Sequence, residues 1–326
     1  MKMRVAMIGC GAVGSIHAAN LAKQPGVELT AVYSPDSESA SSFASAHRIL
    51  KIADSVKSAC AEADVAIVCS PSAVHFDQAR ECLSAGLHTL IELPACGIPH
   101  QAEELEAEAQ RRGVLLGCAH TARYLEPYAR IQSALDAGWI GDIQAISYTR
   151  CPRLRARTWT DNALVHHAAH ALDLAIRWCG EVRPLACIAI PDKDSTQTTS
   201  ILARLPGGGP LSVTVSYKAQ VPFSSMLVIG KKCTISTDGF SYLRSDLPEL
   251  HFSGDEHEVY EDAIGSQDIA FLGACRGKNG FIPWTDTMSL IRVVGEAQRL
   301  STLATEERGK ADQSNKPLQP LLQVRH

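Results

Sequence analysis

The run His166-His167-Ala168-Ala169-His170-Ala171-Leu172-Asp173 gathers imidazoles and a carboxylate over about two helical turns. At about 100° per residue, His166, His170 and Asp173 fall within about 60° of arc and can point into one cleft. A histidine titrates at about 6.5 in its ordinary state, so His170 can take the proton of a substrate hydroxyl. His166 would stand beside it. Asp173, one turn on, would fix its tautomer and steady the imidazolium. Two other uses fit the same residues. The histidines can be structural groups satisfied by hydrogen bonds. Alternatively, His at i and i+4 with Asp three later can ligate a metal, with Glu92 as a more distant carboxylate.

A second cluster lies just upstream, where Arg150, Arg153, Arg155 and Arg157 fall in one short segment. Arg153, Arg155 and Arg157 alternate, as on one face of an extended chain. Guanidinium groups present planar paired donors that suit carboxylates, so a polycarboxylate substrate would use Arg153 and Arg155. Trp159 would then cover its ring face. A solvated loop or a subunit contact accounts for the same charge run.

These clusters need elements to hold them. From residue 1 to about 118, short apolar runs alternate with amphipathic segments, the pattern of a parallel sheet wrapped by helices. The runs are Arg4–Ile8, Glu28–Tyr33, Ala63–Cys69, His88–Ile91 and Val114–Cys118, giving five βα steps. Beyond 118 the rhythm changes to a helix over Pro127–Ala137, a strand over Ile143–Thr149 and a helix over Ala163–Cys179. Five β-like runs follow between Ala186 and Ser236, then a late helix over Thr287–Ser301. The expected fold is therefore α/β. A Rossmann doubly wound parallel sheet occupies residues 1–118, an α+β domain with an open, mainly antiparallel sheet occupies 119–308, and a mobile tail covers 309–326.

The first apolar run leads directly into Gly9-Cys10-Gly11-Ala12-Val13-Gly14 and a helix. Gly9 permits the tight turn, Gly11 lets the backbone approach a pyrophosphate, and Gly14 allows close helix packing. The helix start at Ala12 and Val13 offers free N–H groups and positive dipole potential. The cofactor expected is NADP or NAD. About twenty residues past the motif, where an acid would accept from the adenosine 2′-hydroxyl, stands Ser34, which favours NADP over NAD.

Composition narrows the partners. Lys plus Arg number 31 against 35 Asp plus Glu, a net charge of -4 that offers no global attraction for nucleic acid or an anionic membrane. No apolar run reaches the roughly 18 to 20 residues a bilayer requires, and the chain enters a strand too early for a secretory leader. The 11 cysteines are scattered without a CxxC pair, as expected of reduced thiols in a cytoplasmic protein.

Three further segments give the chain a likeness. Cys69-Ser70-Pro71-Ser72-Ala73-Val74-His75 follows one strand and Glu92-Leu93-Pro94 another, and His170 and Asp173 stand in the late helix. With the glycine turn, these resemble the Gfo/Idh/MocA oxidoreductases over nearly the whole chain. The resemblance implies a metal-free site in which Ser70, Pro71 and His75 line the nicotinamide side of the cleft, joined by Glu92 and Pro94. The family's triplet is Glu-Lys-Pro, and Leu93 replaces its lysine. Thr158-Trp159-Thr160-Asp161, the His166–His170 run and Ala119-His120-Thr121-Ala122-Arg123-Tyr124 are similar to one branch. That branch oxidises the cyclic hemiacetal of a carboxylated ring-cleavage aldehyde to a lactone. This likeness implies an anionic or hemiacetal substrate, with His120, Arg123 and His167 among its contacts, and His170 as base. A hemiacetal carbon tolerates loss of the lysine because its ring oxygen stabilises the charge left by a departing hydride. The family also implies a homodimer or higher homo-oligomer. A sugar or inositol dehydrogenase, and a dinucleotide-binding sensor without turnover, remain alternatives.

Overall fold

The structure, a computed structural model, describes residues 2–152, 162–192 and 195–314. Arg153, Arg155, Arg157 and Trp159 lie outside the described residues.

The first part winds as β1 (Met3–Ile8), α1 (Ala12–Ala22), β2 (Val27–Tyr33), α2 (Ser37–His47), β3 (Lys51–Ala53), α3 (Val56–Cys60), β4 (Val65–Val68), α4 (His75–Ser84), β5 (His88–Glu92), α5 (Pro99–Arg112) and β6 (Leu116–Ala119). The strands form a parallel sheet in the order β3-β2-β1-β4-β5-β6. Helices cover both faces, which is why β4 is buried at every residue and reads as an unbroken apolar run. The sixth strand, β3, is a three-residue edge strand too short to register as periodicity. The strand order reverses between β1 and β4, and ligands of such sheets bind outside the strand carboxyl ends at that point. Gly9, Ser34, Cys69, Glu92 and His120 all lie at or just beyond those ends.

The chain continues through α6 (Glu126–Asp136), β7 (Ile143–Cys151), α7 (His167–Cys179), β8 (Arg183–Asp192), β9 (Ser195–Arg204), β10 (Pro210–Ser216), β11 (Phe223–Gly230), β12 (Thr234–Thr237), β13 (Tyr242–Ser245), β14 (Phe252–Ser253), α8 (Glu256–Cys275) and α9 (Trp284–Ser314). The second sheet runs β14-β13-β12-β11-β7-β10-β9-β8, antiparallel except where β7 meets β10. In β10 the buried Leu211, Val213 and Val215 face the helices, and Ser212, Thr214 and Ser216 face away. The side facing away stays open, with Ile188 62% exposed and Ile190, Leu202, Phe223 and Leu227 also exposed.

Besides β3, the sequence reading lacks α3, β13 and β14, and it differs at three longer helices. Helix α8 is absent from it altogether. The helix expected from Ala163 begins at His167, because the Asn162 side chain accepts from the Leu164 and Val165 N–H groups and sets an irregular turn first. Helix α9 continues to Ser314, past Gly309, where a mobile tail was expected to begin. Among the described residues, no helix is long and apolar enough to cross a membrane, and all eleven cysteines are free thiols.

Candidate active site

The glycine turn is built against the end of β4. Gly9 has φ +112, and a Cβ there would lie 2.5 Å from the Ser70 nitrogen. At Gly14 a Cβ would meet the Cys69 sulfur at 2.8 Å. Both positions therefore need glycine in order to close the turn on the sheet. Gly11 differs, since a Cβ there meets nothing within 4 Å and would project into the open ground over the turn. Helix α1 has Gly11 as its cap and no acid in its first turn. Its first internal bond is Ser15 N–H to Gly11 O, at 3.0 Å. Among the described residues, the N–H groups of Ala12, Val13 and Gly14 therefore have no acceptor. Free donors, positive dipole potential and open ground fit a pyrophosphate. At the end of β2, Ser34 Oγ accepts from the Asp36 N–H at 3.3 Å. The Asp36 carboxylate caps α2, accepting from Glu38 N–H at 3.1 Å and from Ser39 Oγ.

At the end of β5, Glu92 meets a residue that sequence reasoning missed. His17 of α1 is fully buried, with Nε2 2.9 Å from Glu92 Oε1 and Nδ1 2.7 Å from Asp268 Oδ1 of α8. Burial alone would lower the His17 pKa, but the charges and hydrogen bonds of Asp268 and Glu92 outweigh it and raise it to about 10. The ring is an imidazolium held between two carboxylates. Burial pushes Glu92 up, yet the bond and charge from His17 hold it below the usual carboxylate range. Burial raises Asp268, whose second oxygen has no partner among the described residues. A signal for His17 was available: it sits three residues past Gly14, on the helix face turned to the sheet.

The neighbouring positions change role. His75 is buried between two backbone carbonyls, Nδ1 2.8 Å from Pro94 O and Nε2 2.7 Å from Ser70 O. It ties the two loops that carry Ser70, Pro71 and Pro94, and has no nitrogen left to contact a cofactor. Leu93, at the family lysine's position, is 5% exposed and packs in the core.

Asp173 also departs from expectation. It does not orient His170 but accepts from Arg123, at 2.9 Å from Nε and 2.6 Å from Nη2. Arg123 gives its remaining arm to Asp286 of α9 at 2.6 Å. Three of its five N–H groups thus bond protein carboxylates and its side chain is 8% exposed, so Arg123 serves the fold where the sequence reading gave it to a substrate. His120 is likewise withdrawn. It is buried, its Nε2 2.9 Å from Thr287 Oγ1 and its Nδ1 3.0 Å from Asp173 Oδ1, within ion-pair reach but outside hydrogen-bond geometry. Burial pushes the Asp173 carboxyl up, but His120 and Arg123 hold it well below the usual range. This buried cluster fastens α7 to α9 and to the segment after β6.

His170 is left at the cleft. Among the described residues it makes no hydrogen bond, and its ring stands 5.7 Å from that of His166 and 6.3 Å from that of His167. His166 precedes the helix, while His167 Nδ1 lies 2.7 Å from the Tyr217 hydroxyl. Burial first, then the charges of His166 and Arg150, lower the His170 pKa to about 4 against the pull of Asp173 and Glu92. The ring is neutral at physiological pH and close enough to Glu92 to feel its charge. The end of β5 and the start of α7 thus face one space. Among the described residues, no three His, Cys, Asp or Glu side chains converge on a metal position.

Residues 3–120 match the model of an oxidoreductase family with an NAD-binding Rossmann fold. This stretch is similar to the Gfo/Idh/MocA oxidoreductases. The 4-carboxy-2-hydroxymuconate-6-semialdehyde dehydrogenase of a Sphingobium species is 31% identical over 189 residues, 55% of this chain and 60% of that protein. The UDP-N-acetylglucosamine 3-dehydrogenase of Acidithiobacillus ferrooxidans is 28% identical over 202 residues, 61% of this chain and 62% of that one. The chain thus matches these relatives over about three fifths of their lengths. GenD2 from gentamicin A biosynthesis, solved in complex with NAD, superposes with TM-score 0.82 at 19% identity, over 92% of this chain and 94% of that one. At that identity the likeness is one of fold, and it includes the second sheet.

Proposed function

We propose that the chain is an NAD(P)-dependent dehydrogenase that oxidises the cyclic hemiacetal of 4-carboxy-2-hydroxymuconate-6-semialdehyde to 2-pyrone-4,6-dicarboxylate. The observation that carries this reading is the neutral His170, without a hydrogen bond among the described residues, facing the end of β5 beside the cofactor turn. A nicotinamide, when bound, would supply the acceptor for the hydride that leaves the hemiacetal carbon. His170 takes the hydroxyl proton, and the carbon–oxygen bond becomes the lactone carbonyl. A base with a pKa of about 4 is weak, but the hydroxyl becomes strongly acidic as hydride leaves, so the transfer runs downhill. Buried Leu93 supplies no cation, which suits a carbon whose ring oxygen already stabilises developing charge. The backbone N–H groups of Ala12 to Gly14 would hold the pyrophosphate. Ser34, neutral, stands where an acid would accept from the adenosine 2′-hydroxyl, which favours NADP, with NAD also accepted. Residues 1–118 would bind the cofactor and 119–308 the substrate. The open sheet face with Ile188, Ile190, Leu202, Phe223 and Leu227 supports a homodimer formed through it. Light scattering on the purified chain checks the dimer.

The test is turnover of the semialdehyde with NADP and with NAD, read as absorbance of the reduced nicotinamide. Turnover supports the reading, and no turnover with either cofactor rejects it. The identity to a UDP-N-acetylglucosamine dehydrogenase favours a sugar substrate as the second reading. Neutral sugars in the same assay decide between them.

A further inference from the structure

We infer that Arg150 is a carboxylate-binding residue of the substrate site, so that the chain selects an anionic ring over its neutral counterpart. The inference rests on the hemiacetal dehydrogenase reading for the position of the substrate. It names the group that reads the substrate's charge.

Strand parity sets the direction of the side chain. In β7, Ile146 and Tyr148 are buried under the helices, and Arg150 continues their side of the sheet, while Ser147 and Thr149 belong to the other. Its ladder partners are the fully buried Val215 of β10 and Ser224 of β11. Tyr217, two residues past Val215, is buried and bonded to His167. Arg150 therefore enters the space under α7, near the three histidines, and its charge is among those that depress His170.

The guanidinium carbon lies 4.4 Å from the centroid of the Phe240 ring, a stacking that fixes a planar cation in one orientation. Among the described residues, Arg150 has no carboxylate within ion-pair distance and makes no hydrogen bond. Other arginines here do otherwise: Arg123 is shared by Asp173 and Asp286, and Arg4 is held by Asp64. Asp238, two residues before Phe240, is turned into its own loop, accepting from the Phe240, Ser241 and Tyr242 N–H groups. A half-buried guanidinium with unmet donors loses hydration without recovering it from the protein. A substrate carboxylate restores those bonds in charge-assisted form. Arg150 was passed over in the sequence because Arg153, Arg155 and Arg157 share the alternation that it breaks.

The experiment compares binding of 2-pyrone-4,6-dicarboxylate and of its dimethyl ester to NADPH-saturated enzyme by calorimetry, for wild type, Arg150→Met and Arg150→Lys. Loss of one charge-assisted contact predicts that Arg150→Met weakens diacid binding about ten- to hundredfold. Arg150→Lys should fall between. Ester binding and NADPH affinity should not change, which separates charge recognition from a folding defect. Equal diacid affinity in wild type and Arg150→Met overturns the assignment. So does an equal loss of ester binding, or a wild type that does not prefer diacid to ester. An enzyme that prefers the diacid through Arg150 but does not oxidise the semialdehyde keeps this assignment and loses the proposed reaction. One that oxidises it, with Arg150→Met binding the diacid like wild type, does the reverse.

Discussion

Replacing His17 with Gln removes the cation between Glu92 and Asp268 while keeping a side chain that can hydrogen-bond. The folded pKa of about 10 lies about 3.5 units above the ordinary 6.5. At about 1.4 kcal/mol per unit, the imidazolium contributes at most about 5 kcal/mol. Removing one partner of a buried pair costs about 3–5 kcal/mol, within that ceiling, so about 3 kcal/mol is the least expected. The sign follows from the raised folded pKa. The contribution is complete below about pH 6.5 and falls by about 1.4 kcal/mol per unit as pH rises toward 10, where it is gone. Thermal unfolding of wild type and His17→Gln by circular dichroism, from about pH 6 to about pH 10, measures this. At about 2 °C per kcal/mol the variant should melt about 6 °C lower at the acid end, with the gap closing toward pH 10. A gap that is constant in pH, or that widens with it, refutes the reasoning.

Other perturbations follow from the same geometry. Gly9→Ala forces a Cβ to within 2.5 Å of the Ser70 nitrogen at φ +112, so it should cost about 2–4 kcal/mol of stability and abolish cofactor binding. Gly11→Ala meets no protein atom and should weaken cofactor binding while shifting stability by less than about 0.5 kcal/mol; melts and fluorescence titration with NADPH separate the two. Arg123→Met breaks a buried pairing and should cost about 3–5 kcal/mol without a selective rise in substrate KM, whereas a KM effect with unchanged stability would restore it to the substrate site. The acid limb of kcat/KM should fall as pH drops through about 4, where His170 becomes protonated, and a limb at about 6.5 would remove His170 as the base.

The glycine turn could be read from sequence because its constraints are local. A positive φ at Gly9 and close contacts at Gly14 are met within a strand-turn-helix, and the buried strands β1, β4 and β5 announce themselves as apolar runs. Helix α8 was hidden for a physical reason. Gly265 breaks its apolar pattern where the helix closes on Asn20 of α1, and its inward face carries the polar Gln267 and Asp268. Its start was marked all the same, by Asp255 as cap with Glu258 three residues on. Partner choice was the other gap. Spacing places Asp173 on the same face as His170, but Arg123, His120 and Asp286 reach it from distant segments. Only tertiary packing decides that the carboxylate is consumed there. Likewise, strand parity singles out Arg150 once β7 is known to end at Cys151.

The central claim is that His170 removes a proton as hydride leaves the substrate carbon. Single-turnover formation of reduced nicotinamide, with the semialdehyde and NADP both saturating, tests it most directly in wild type and His170→Asn. General-base loss predicts a rate at least about a hundredfold slower in the variant, with cofactor affinity unchanged. An equal single-turnover rate in the two proteins would contradict the account.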